Sequence, residues 1–103
     1  MALGHMNKDE ARAVANGFLA SYRAKPYPQL AALVGSTQIA EVTARSGTSY
    51  QIELEVFWDD PKSHDGVLRV RAAVDDKALR AFLPLCEDFL IKPDGTFGDE
   101  NVA

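Results

Sequence analysis

The chain has little of what most site chemistry is built from. Its 103 residues include a single cysteine and two histidines. With Cys86 alone no internal disulfide can form, which excludes a cysteine-stapled framework. His5 belongs to the opening MALGHM, residues 1–6, which reads as a cloning remnant and is set aside from the fold. His64 is then the only imidazole left, poor provision for zinc. Positive charge is also scarce: 11 Lys and Arg against 15 Asp and Glu give a formal net charge of −4. That balance supplies no basic footprint for nucleic acid and no polybasic anchor for a membrane. No apolar run approaches the roughly 20 residues of a membrane span, and no charged-then-apolar leader is visible. The expectation is one small domain over residues 7–98, a disordered tail over 99–103, and a reducing, cytoplasmic setting with no nucleic-acid or membrane partner.

What is present is a change of period. Asn7 and Glu10 have the spacing of a capping box, and Asp9 suits the positive end of a helix. Ala11, Val14, Ala15, Phe18, Leu19 and Tyr22 then recur at helical spacing. Gly17 lies inside this run, where it costs about 1 kcal/mol against Ala; beside Phe18 it suggests close approach of helix to sheet. Pro26 and Pro28 end the helix near Lys25. Leu30, Leu33 and Val34 indicate a short second helix closed by Gly35.

From Gln38 the period is two. Ala40, Val42 and Ala44 alternate with Glu41, Thr43 and Arg45, and Ser46-Gly47-Thr48 makes a hairpin loop. Tyr50, Ile52, Leu54, Val56 and Trp58 share one face of the next strand; Glu53, Glu55 and Phe57 share the other. After DDPKSHDG, the residues Leu68, Val70, Ala72 and Val74 alternate with Arg69 and Arg71. Matching the apolar faces sets Val56 against Val70, which places Glu55 opposite Arg71 and Phe57 opposite Arg69. A charged pair and an aromatic–guanidinium contact are expected there.

The stretch LRAFLPLCEDFLI, residues 79–91, fits a helical stripe, but Pro84 inside a helix costs roughly 3 kcal/mol. Read as a strand after a turn at 75–78, it sets Leu79, Ala81, Leu83 and Leu85 against Val74, Ala72, Val70 and Leu68, with Pro84 at an edge or bulge. The strand is preferred. The sum is a two-layer α+β fold: an N-terminal helix and a short second helix packed on a four-stranded antiparallel β-meander.

The segment FLASYRAKPYPQLAALV, residues 18–34, resembles the opening of nuclear-transport-factor-like proteins, and the element order resembles cystatin-like folds. The stretches YQIELEVFWDD, GVLRVRAAVDD and LRAFLPLCEDFLIKPDGTF look like those of a set of small bacterial proteins, which usually carry glycines where Lys77-Ala78 stand here. These resemblances imply a helix-plus-sheet layout and a bacterial source; neither implies an activity.

Four candidate sites follow. Asp59, Asp60, His64 and Asp65, with Asp94 at the same sheet end, have the donor atoms for a divalent cation. Their spacing matches no cation-binding loop, and Asp, Pro, Ser and Gly are what hairpin loops are made of; no metal or cofactor is implied. Cys86, placed by the register above across from Val67 and near Asp59 and His64, would resemble an activated thiol, although a lone cysteine is usually a small buried hydrophobe. The outer sheet face is the leading candidate. Phe57, Arg69, Arg71, Phe82 and Pro84 form an apolar patch crossed by charges, a contact surface for a homodimer or another protein, unless the tail with Phe97 and Val102 folds back over it. The alternative is a small-molecule pocket between helix and sheet rimmed by Tyr22, Tyr27, Tyr50 and Trp58. A binding domain is expected more than an enzyme, with a minor enzyme working in that same pocket as part of the alternative.

Overall fold

A computed structural model describes residues 7–76 and 85–98. The elements are α1 (Lys8–Arg23), α2 (Tyr27–Ala31), β1 (Thr37–Thr43), β2 (Ser49–Trp58), β3 (Leu68–Asp76) and β4 (Leu85–Ile91). The strands form one antiparallel sheet in the order β1-β2-β3-β4. The two-layer α+β architecture is therefore the one the change of period predicts.

Asn7 caps α1, its side chain accepting from the Glu10 amide at 3.0 Å. The Glu10 side chain does not complete the box by turning back. Its Oε1 accepts instead from Ser46 Oγ and from Tyr50 Oη, both at 2.8 Å. The start of the helix is thus tied to the β1–β2 hairpin, whose hydroxyls hold the Glu10 carboxylate. Ala11, Ala15 and Leu19 bury their side chains fully, with Val14, Phe18 and Tyr22 packed beside them. Alanine at two of these positions lets the helix lie close over β3 and β4. Gly17 has no part in this approach: it is exposed, and a Cβ there would meet nothing within 4 Å. Gly35, at φ +88°, ends the turn after α2 in the left-handed region.

The β1–β2 hairpin closes through Ala44 N–H to Thr48 O and Gly47 N–H to Ala44 O, both at 2.9 Å. Between β2 and β3 the register is the expected one, with Val56 opposite Val70, Glu55 opposite Arg71 and Phe57 opposite Arg69. Tyr50, Ile52, Leu54 and Val56 meet Leu68, Val70, Ala72 and Val74 on the buried face, under α1 and α2. Burying such side chains contributes roughly 1.5–3 kcal/mol each.

The last strand is the expected antiparallel partner of β3 but in a different register. Residues 85–91 pair with β3, setting Leu85 against Val74, Phe89 against Val70 and Ile91 against Leu68. Residues 79, 81, 83 and 84, expected in this strand, lie outside the described residues. The alternation misled because Glu87 occupies an inner-face position opposite Ala72. It is tolerated there because β4 is at the sheet edge, where Arg12 Nε donates to Glu87 Oε2 at 3.1 Å. Cys86 accordingly stands opposite Ala73, exposed, and not across from Val67.

After β4 the chain reverses through Lys92–Thr96 and runs back along β4 as an isolated Ile91–Phe97 bridge, closed by Gly98 N–H to Leu90 O at 2.7 Å. Phe97 sits edge-on to the core residue Phe89, ring centroids 5.6 Å apart, and the Arg23 guanidinium lies over both rings. The return therefore goes to the helix side, and Phe97 does not cover the outer face.

Candidate functional site

The loop 59–66 answers first, because its carboxylates diverge. Asp59 Oδ1 accepts from Arg69 Nε and Nη2 at 3.1 and 2.9 Å. Asp60 Oδ1 accepts from the Lys62 amide within its own loop at 2.9 Å. Asp65 is held at φ +72°, a left-handed conformation that few residues other than glycine, asparagine and aspartate adopt. His64 stacks on Trp58, centroids 5.2 Å apart and planes 17° from parallel. Asp94 does lie at this end of the sheet but serves its own turn, accepting from the Thr96 amide and hydroxyl at 2.9 and 2.6 Å. These bonds pull its carboxyl below the ordinary carboxylate range. Among the described residues no three His, Cys, Asp or Glu side chains group as a metal would require.

The loop is braced from below by α2. Tyr27 donates its hydroxyl to Gly66 O at 2.5 Å, and burial, then the charge of Asp65, raises the Tyr27 pKa. The same geometry separates the four aromatic residues of the expected pocket. Tyr27 and Trp58 stand near this loop, whereas Tyr50 and Trp58 mark opposite halves of the ten-residue β2, about 26 Å apart at roughly 3.3 Å per residue. Tyr50 is buried with its hydroxyl on Glu10, and Tyr22 packs against Phe18 at 5.4 Å. The structure does not bring these four to one cavity.

On the outer sheet face the described members of the expected patch, Phe57, Arg69 and Arg71, share one side of β2 and β3. Arg71 lies over the Phe57 ring, 4.9 Å from its centroid. The aromatic–guanidinium contact is thus diagonal, made by Arg71 rather than by Arg69 directly opposite. Glu55 and Arg71 are register partners without an ion pair, since the guanidinium has turned to the ring. Arg69 is clamped between Asp59 and Asp88 at 2.9 Å each. Burial alone would lower its pKa, but the hydrogen bonds and charges of the two carboxylates more than offset that and hold it above the ordinary value. Phe82 and Pro84 lie outside the described residues.

Two features of this face escaped the sequence reading. Ile39 points outward from β1 and is 65% exposed, the most exposed large apolar side chain described. Its signal was available: Ile39 shares the alternating phase of Glu41 and Thr43. Beside it an open groove of about 280 Å³ is lined by Gly35, Ser36, Thr37, Glu55, Val56 and Phe57. The groove forms where the turn at Gly35 drops the chain into β1, a consequence of tertiary packing with no local motif.

No family model, no curated protein and no solved structure matches this chain. No helix among the described residues is long and apolar enough to cross a membrane.

Proposed function

We propose that the protein is a binding domain, acting through the outer face of its sheet and forming a homodimer there. The observation that carries this reading is the apolar surface that α1 and α2 leave uncovered: Ile39 at 65% exposure, half-buried Phe57 under Arg71, and the groove that Phe57 helps to line. Exposed apolar surface rimmed by charge marks contact sites in small domains, which have little stability to forgo. Arg69, with its charge already balanced by Asp59 and Asp88, acts as a scaffold for this surface rather than as its reactive part. A small-molecule pocket has less support, because Tyr50 is buried and engaged while Trp58 stands at the far end of β2.

The helix laid across a four-stranded meander supports a cystatin-like layout, and the exposed thiol of Cys86 supports a reducing, cytoplasmic setting. The test is the solution mass of the tag-free chain by light scattering over a wide concentration range, beside that of Phe57→Arg. The wild type is expected as a dimer, with Phe57→Arg shifting the mass midpoint at least tenfold upward in concentration and leaving the circular dichroism unchanged. A monomer at every concentration overturns the reading.

A further inference from the structure

The two edges of the sheet are unlike. On the β4 side, the return through Phe97 and Gly98 occupies the backbone of Leu90 and Lys92. On the β1 side, β2 is the only strand neighbour among the described residues. Ala44 bonds to β2 through Thr48, and hydrogen-bonding direction alternates along an antiparallel strand. The even-numbered residues of β1 therefore face β2, while the odd-numbered ones, Ile39 among them, direct N–H and C=O away from the sheet.

Natural edges are usually blunted by lysine, proline, a bulge or shortness. β1 has seven residues, TQIAEVT, with neither lysine nor proline, and none of them is fully buried. Its one charge, Glu41, also decides the register: pairing two copies about residue 41 sets Glu41 against itself, whereas pairing about Ala40 sets Glu41 against Ile39 and Thr37 against Thr43. The Ala40-centred register also uses the whole strand.

It has a consequence at the groove. Continuing the pairing past Thr43 carries the hairpin of the second copy, with its Arg45, toward Gly35 and the groove wall that Glu55 provides. Neither Arg45 nor Glu55 has an ion partner among the described residues. The two-fold axis makes this contact twice.

We infer that two copies join antiparallel through β1, Ala40 facing Ala40 and Arg45 of each copy reaching Glu55 in the groove of the other, to give one continuous eight-stranded sheet. The inference rests on the homodimer reading and moves the seam from the outer face to the β1 edge that borders it. A two-fold pairing of like edges closes, whereas β1 against β4 would propagate into fibres; the return at Phe97 and Gly98 obstructs that second route.

The test joins a trap and a block. In the pairing proposed, the Ala40 residues form a non-hydrogen-bonded pair with Cα atoms about 4.5 Å apart, within disulfide range. Ala40→Cys on a Cys86→Ser background is expected to oxidise to a covalent dimer, whereas Glu53→Cys on that background is not. Ile39→Pro removes an N–H that points away from β2, so the monomer should keep its circular dichroism while the dimer is lost; Ile39→Lys serves if the proline variant does not fold. A dimer that resists the Ile39 variants and gives no Ala40 cross-link, yet dissociates with Phe57→Arg, overturns the edge pairing and keeps the outer-face reading at Phe57 without Ile39. The converse pattern keeps the edge and removes Phe57 from it. A wild-type monomer at every concentration overturns both.

Discussion

Gly17 interrupts a helix without return. It is exposed inside α1, its φ is not in the left-handed region, and added volume meets no neighbour. Gly17→Ala should therefore stabilise the fold by about 0.5–1 kcal/mol, through helix propensity and a less flexible unfolded chain. A rise in the thermal midpoint of a few degrees in calorimetry is the expected outcome; no rise would mean that this face of α1 meets something the monomer does not contain. Glu10 illustrates the opposite case. The spacing Asn7-x-x-Glu10 identifies the cap correctly, but the destination of the Glu10 carboxylate depends on where a hairpin 36 residues later places Ser46. Capping is local and legible; the choice among several hydroxyl donors is tertiary and is not.

At the scale of elements, α1, the β1–β2 hairpin and the β2–β3 register were legible because each has a strict period, and a slip of one residue would turn every apolar side chain to water. β4 was legible as a fourth antiparallel strand but not in its register. Leu79, Ala81, Leu83 and Leu85 alternate more cleanly in the sequence than Leu85, Glu87, Phe89 and Ile91, and the observed pairing is marked only by an acid whose partner, Arg12, sits on another element. Phe57, Arg69 and Arg71 share the face that the register predicts, but their contacts were not legible, because long guanidinium side chains choose among neighbours that the pairing alone does not rank.

The turn after β4 carries a pH prediction. The Thr96 hydrogen bonds hold the Asp94 carboxyl below its ordinary pKa, so the stabilisation they give is present above the unfolded value and is lost as pH falls through the folded one. Below about pH 4 the Lys92–Thr96 turn should loosen. The Thr96 amide resonance is expected to move and to exchange faster in that range, with core amides such as that of Val70 unaffected. Asp94→Asn should show a weakened turn at neutral pH and lose the dependence.

At the scale of the whole molecule, the helix layer is narrower than the sheet. α1 lies over β3 and β4 and α2 beside β2, while Gln38, Ala40 and Val42 on the inner side of β1 are only half-buried. A four-stranded sheet thus ends in a strand that the described residues do not finish covering. If a second copy completes it, folding and association are one equilibrium, and stability must depend on concentration. For a dimer that unfolds to separated chains, each tenfold rise in protein adds about 1.4 kcal/mol per dimer, or about 0.7 per chain. For a domain of this size that corresponds to roughly 3–5 °C in the thermal midpoint. The wild type should show this climb across two decades of concentration, whereas Ile39→Pro should give one midpoint throughout. Parallel climbs in both would mean that the chains associate without the β1 edge, and a flat wild-type series would mean that half-buried β1 is stable without a partner.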